Sequence, residues 1–209
     1  MEFFDRLEEV RTRWNVLEHP FYQRWSRGEL TREELGFYAG EYREAVVALA
    51  EATRITARAC EPGVRAELDE HAAEEEAHVD LWDDFAAAAG APAGIEPRPE
   101  THECTRAWTA AGDALEGLVT LYAIESGQPA ISQTKLEGLV EHYGMTPESP
   151  ATAYFELHSE RDHEHAAQSR ALIEERLDEA DAERLVAAAE RVLAGNWALL
   201  DGVERRFGR

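Results

Sequence analysis

Two stretches of this 209-residue chain carry side chains that bind metal ions, at spacings a helix would gather onto one side. His158, Asp162 and His165 are four and three positions apart, so on an α-helix they share a face, while His163 points elsewhere. Phe155, Leu157 and Ala166 flank the same stripe and turn it towards a core. Earlier in the chain, Glu75 precedes His78 by three positions and Glu74 precedes it by four, so either acid can share a face with the imidazole. Glu125 stands in the otherwise apolar LYAIESGQPAIS, where a carboxylate would be interior and in need of a partner. Each cluster alone has a plainer meaning. EEEAH is most often a solvated acidic run, Glu125 could pair with an arginine, and the third group could lie on a polar surface helix. Together they favour metal, because carboxylates and imidazoles buried side by side are costly unless a cation sits between them. The six donors suffice for two ions, and the mixed set suits iron or manganese, whereas structural zinc would call for cysteines.

The elements that must position these donors are helices. Apolar residues recur with a period of about 3.6 and no segment alternates convincingly as a strand, which predicts an all-α chain. Helices are expected over 2–18, 21–27, 31–59 with Thr31 as cap, 64–89 ending at Gly90, 100–109, 112–126, a segment closing at Gly144, 151–177 and 180–206. Glu61-Pro62-Gly63 reads as a turn and GAPAGIEPRP as the longest loop. Pro129 lacks the N–H that would bond the Glu125 carbonyl, so a kink is expected beside that carboxylate.

Length and a hydrophobic content of 44% suit one domain spanning 1–209. The charged N-terminal segment and the lack of a long apolar run argue against a signal peptide or membrane span, so a cytoplasmic location is expected. Cys60 and Cys104 are read as free thiols. A net charge of −22 makes nucleic acid and anionic membranes poor partners and is explained by a halophilic-type acidic surface. The 21 basic residues include a single lysine, Lys135.

LEHPFYQRWSRGELTREELGFYAGEY, HVDLW, YAIESGQPAISQTK and the His158-x3-Asp162-x2-His165 spacing give the chain a resemblance to the haem-oxygenase-like di-metal oxidase family. Within it, the chain is most similar to the p-aminobenzoate-forming subgroup that includes the Chlamydia protein associating with death domains. The likeness runs from about Leu17 to Leu172. It implies a seven-helix haem-oxygenase-like (TenA/PqqC-like) bundle holding two iron ions, or a manganese–iron pair, with O2 as co-substrate and an external reductant. The implied metal ligands are Glu74 or Glu75, His78, Glu125, His158, Asp162 and His165, with the first Glu-to-His interval shorter here than in the chlamydial members. The implied activity makes p-aminobenzoate for folate from a tyrosine of the protein itself, with a lysine as amino donor, so that each molecule acts once. The matching residues are Tyr22, with Tyr38 as a second tyrosine of the motif, and Lys135, which is the only lysine present. An arginine, always protonated, could not replace it. The resemblance also implies a homodimer.

Other members of this fold give competing readings. A thiaminase would need a cysteine in LVTLYAIES, which has none, and the cofactorless oxidase of pyrroloquinoline quinone synthesis lacks a full ligand set. A di-iron oxidase of an external amino acid or fatty acid, and a non-enzymatic interaction protein, also stand as alternatives.

Overall fold

The computed structural model describes residues 2–94 and 96–209, and Ile95 of the expected GAPAGIEPRP loop lies outside them. Among the described residues the chain forms α-helices and no strand: α1 (Phe3–Arg13), α2 (Pro20–Ser26), α3 (Arg32–Ala59), α4 (Pro62–Ala89), α5 (Pro99–Trp108), α6 (Ala114–Glu125), α7 (Gln128–Glu141), α8 (Ala153–Arg176) and α9 (Ala182–Arg206). Counting α6 and α7 as one interrupted helix, and α2 as a lead-in, gives the seven helices of the bundle. No helix of the described residues is long and apolar enough to cross a membrane.

Two expected boundaries move for identifiable reasons. The first helix stops at Arg13, and Val16–Glu18 forms a separate 3₁₀ turn whose start is capped by the Asn15 side chain. Glu61-Pro62-Gly63 is not a turn but the start of α4, because proline at the first helical position gives up an N–H that has no partner there in any case. The connection at 142–152 is also longer than that at 90–98.

α3 and α4 form a long antiparallel pair. They touch closely enough at one end that a Cβ on Gly36 would lie 2.7 Å from the Gly90 carbonyl oxygen, and Gly90 ends α4 at φ 80°, where a side chain would be strained. α3 begins with a reciprocal cap: the Thr31 hydroxyl accepts from Glu34 N–H, and the Glu34 carboxylate accepts from Thr31 N–H at 2.8 Å. The same carboxylate meets the buried Arg24 guanidinium of α2, which also donates to Glu204 of α9 at 2.7 Å. One arginine thus ties three helices by charge-assisted bonds.

α6 is buried on nearly all sides, from Gly117 to Leu121 and from Ala123 to Glu125, so it runs through the middle of the molecule. The interruption falls at Ser126 and Gly127, which keep right-handed helical dihedrals beside Glu125, and Pro129 enters in the first turn of α7. α8 packs against both α6 and α7 and also meets α4. α2 is fastened to α7 where Trp25 lies over Gly138 and donates its indole N–H to the Lys135 carbonyl at 3.2 Å.

A Cβ on Gly138 would sit 2.5 Å from two atoms of the Trp25 indole. Gly138→Ala is therefore expected to destabilise the protein, because overpacking of about 1–3 kcal/mol outweighs the gain of roughly 1 kcal/mol in helix propensity. Denaturant unfolding checks this, and an unchanged or raised midpoint would show that the indole can move aside.

Candidate metal centre

α8 presents His158, Asp162 and His165 on one inward stripe, each buried, while His163 faces solvent. α4 brings a second stripe, His71, Glu75 and His78, all three buried on the face opposite α8. α6 ends with Glu125, 1% exposed, directed into the space between them.

Glu75 lies at the middle of the cluster. Its carboxylate oxygens are 3.4 Å from His78 Nδ1, 3.6 Å from His71 Nε2, 3.7 Å from His165 Nδ1 and 3.8 Å from His158 Nε2. Two groups of donors close enough to hold an ion share it: His71, Glu75 and His165 form one, and Glu75, His78 and His158 the other. His71 Nε2 also lies 3.1 Å from Glu125 Oε1, yet neither atom makes a hydrogen bond. The two atoms are close enough to share a third partner between them.

The same holds throughout the cluster. Donor atoms of His71, Glu75, His78, Glu125, His158, Asp162 and His165 are buried without a hydrogen-bond partner in the protein. Leaving a buried polar group unmet costs about 1–3 kcal/mol, and seven such side chains would cost an amount comparable with the ~5–15 kcal/mol net stability of a typical domain. Coordination to cations would meet donor atoms of the five residues in the two groups, with Glu125 and Asp162 outside both, so the residues present fit a metal centre. His158 shows the orientation such a site requires: its Nδ1–H donates to the Tyr154 carbonyl at 2.7 Å, which leaves the Nε2 lone pair facing Glu75.

The metal-free electrostatics fit the same interpretation. Burial opposes a charge on His71, but the adjacent Glu125 and Glu75 prevail and push its pKa up to about 10. Asp162 is raised to about 9 by burial and by Glu125 and Glu75, and burial also raises Glu125. Glu75 is held well below the usual carboxylate range, since His158, His71 and His78 outweigh its burial. His165 falls to about 4 through burial and the charge on His71. Protons on His71 and Asp162 thus stand where positive charge is wanted, and a metal ion would displace them.

The structure separates the two acids that sequence spacing left equivalent. Glu75 is central, whereas Glu74 is 39% exposed and pairs with Arg161 of α8 at 2.9 Å. His71 was missed, although it precedes Glu75 by four positions and His78 by seven and so belongs to their stripe.

Beside the cluster lies a box of rings. Lys135 of α7 is buried with its Nζ 4.5 Å from the Tyr42 ring centroid, 5.4 Å from Tyr22, 5.6 Å from Trp82, 5.7 Å from Phe155 and 5.8 Å from Tyr38. Tyr22 and Tyr38 share a hydrogen bond of 2.7 Å between hydroxyls. From Tyr38 the rings continue through Trp82 at 6.1 Å and Tyr154 at 4.9 Å to His158, on which Tyr154 stacks at 3.9 Å. Tyr42, the ring nearest Lys135, also escaped the sequence reading.

Residues 36–197 match a family described as an iron-containing redox enzyme, haem-oxygenase-like in name. The chain is 34% identical to a 4-aminobenzoate synthase of Chlamydia muridarum, over 96% of this chain and 89% of that protein. It is 35% identical to a protein of the same name from Chlamydia trachomatis, over 96% and 91%, and 29% identical to one from Nitrosomonas europaea, over 98% and 92%. Among solved structures, a haem-oxygenase-like domain from Shewanella denitrificans superposes with a TM-score of 0.84 at 20% identity, over 99% of this chain and 94% of that one. A TenA homologue from P. horikoshii gives 0.80 at 19% identity, over 98% and 99%. These two establish the fold.

The pKa shifts set a pH dependence for the metal-free protein. Between about pH 7 and 9 the folded chain keeps protons on His71 and Asp162 that the unfolded chain has released, so stability falls as pH rises. Lys135, lowered to about 7 by burial, works in the opposite direction over that range but offsets only one of the two. Denaturation at stepped pH should show metal-free stability declining from about pH 7 to 9, with a shallower slope once metal is bound. A metal-free protein whose stability held or rose across that window would refute this assignment of protons.

Proposed function

Since the chain belongs to the haem-oxygenase-like family of iron-containing redox enzymes, we propose that it is a di-metal, O2-dependent oxidoreductase that forms 4-aminobenzoate from its own Tyr22, with Lys135 as amino donor. The carrying observation is the placement of the chain's only lysine, buried with its Nζ 5.4 Å from the Tyr22 ring and within the rings that run to His158. Twenty arginines elsewhere show that a buried lysine here was not the default basic residue.

His71, Glu75, His78, Glu125, His158, Asp162 and His165 would hold the metal, iron in keeping with the family, and the metal would supply activation of O2 beside the aromatic box. The remaining chemistry belongs to the protein's own groups. Burial raises Tyr22 and Tyr38 well above the ordinary phenol range, so both are neutral before reaction. A neutral phenol loses an electron readily only if its proton leaves too, and the 2.7 Å bond between hydroxyls lets Tyr38 relay that proton only as it gives up its own. Burial lowers Lys135 to about 7, against the pull of Asp162, so a large fraction is the nucleophilic free amine at neutral pH. Trp82 and Phe155, both fully buried, close the box and exclude water from the amine and the ring. In the product an amine stands where the tyrosine hydroxyl was and a carboxylate derives from its Cβ, so the protein loses side-chain atoms and is spent.

A second reading is favoured by a cavity of about 120 Å³ lined by Trp14, Trp108, Ile124, Ile131 and Asn196, where α6 gives way to α7. Its lining includes no residue of the donor cluster or the ring box, so an external molecule held there would react only by reaching past Ile124 and Gly127, with the chain left intact.

Protein containing lysine labelled with 15N at the side-chain amine should, on aerobic incubation with ferrous iron and a reductant, yield labelled 4-aminobenzoate and a chain of altered mass. Tyr22→Phe and Lys135→Arg should each reduce product to background while still binding metal. Unlabelled product, or an intact chain that consumes an added substrate, would exclude self-modification.

A further inference from the structure

Outside the buried donors, α4 and α8 diverge into a surface funnel of about 340 Å³ whose walls carry Glu67, Glu70, Glu74 and Glu164. Arg161 is the only arginine or lysine lining it among the described residues, and its guanidinium spans the opening, bonded to Glu74 on one side and Glu164 on the other. The floor is His71 and His165, which are 4% and 5% exposed, and the buried Nδ1 of each has no hydrogen-bond partner. The His165 ring stands between outside and inside. Its Nε2 lies 3.3 Å from Glu74 Oε2 in the funnel, and its Nδ1 lies 3.7 Å from Glu75 Oε1 in the cluster.

We propose that this funnel is the port through which divalent metal enters, with Glu74 and His165 Nε2 forming a transient outer site that passes the ion inward to Glu75. The inference rests on the metal-centre reading above and assigns Glu74 a part in delivery rather than in the finished centre. Four carboxylates facing one guanidinium concentrate cations at the mouth, in a protein whose net charge is already −22. Glu74 and Arg161 are both more than one-third exposed, so their ion pair is weak enough for an arriving ion to displace the guanidinium. His165 then offers one ring nitrogen to each side, and a turn of the ring carries the ion across without unfolding either helix.

The test follows Co(II) entering metal-free protein, read by stopped-flow tryptophan fluorescence and by the final Co(II) absorption spectrum and stoichiometry. Glu74→Gln should slow uptake about tenfold or more, within the usual range for electrostatic guidance, yet reach the wild-type stoichiometry and spectrum. Arg161→Gln, which removes the competing cation, should speed it. Uptake by Glu74→Gln at the wild-type rate would overturn the port while leaving the centre standing. A reduced stoichiometry or altered spectrum in that variant would make Glu74 a resident ligand and also overturn it. Wild-type protein that bound no Co(II) would overturn centre and port together.

Discussion

Glu75 is a carboxylate buried at the middle of a helical bundle with four imidazoles around it and no hydrogen bond to its oxygens. A protein interior does not tolerate that arrangement without compensating charge. In the metal-free chain the compensation is partial, a proton on His71 and another on Asp162, and the other facing atoms stay unmet. The rest of the molecule is understandable as the means of holding these groups together until a cation satisfies them.

Three devices do the holding. The long α3–α4 pair, closed at Gly36 and Gly90, fixes the stripe that carries His71, Glu75 and His78. α8 supplies the facing stripe, with the Tyr154 carbonyl setting the tautomer of His158. The break after Glu125 lets α6 end at the centre, while α7 continues past it to place Lys135 among the aromatic rings. Trp25 then binds α2 to α7, so Tyr22 and Lys135 are positioned by the same contact. The rings and the amine therefore belong to one packed unit that meets the buried imidazoles where Tyr154 stacks on His158, with Asp162 acting on the Lys135 amine.

What the sequence revealed followed from how local each signal is. The α8 triad was legible because all three residues lie within two turns of one helix, where spacing alone decides the face. Glu74 and Glu75 were not separable, since both are a helical step from His78, and the choice is made by a contact with distant Arg161 that draws Glu74 outward. His71 belonged to a visible stripe, but its partners Glu125 and His165 come from other helices, and only their approach distinguishes it from a polar surface residue. Tyr42 was hidden for the same reason, one turn beyond Tyr38 and marked only by its nearness to Lys135. The all-α architecture and most helix ends needed no such long-range information, and the error at Pro62 came from reading a helix-starting proline as a turn.

The most direct test of the central claim is anomalous X-ray scattering at the iron edge from crystals of the protein loaded anaerobically with ferrous iron. Two peaks are expected on either side of Glu75, one beside His71 and His165 and the other beside His78 and His158. No peak at Glu75, with the histidines instead hydrogen-bonded to one another or to water, would contradict the account.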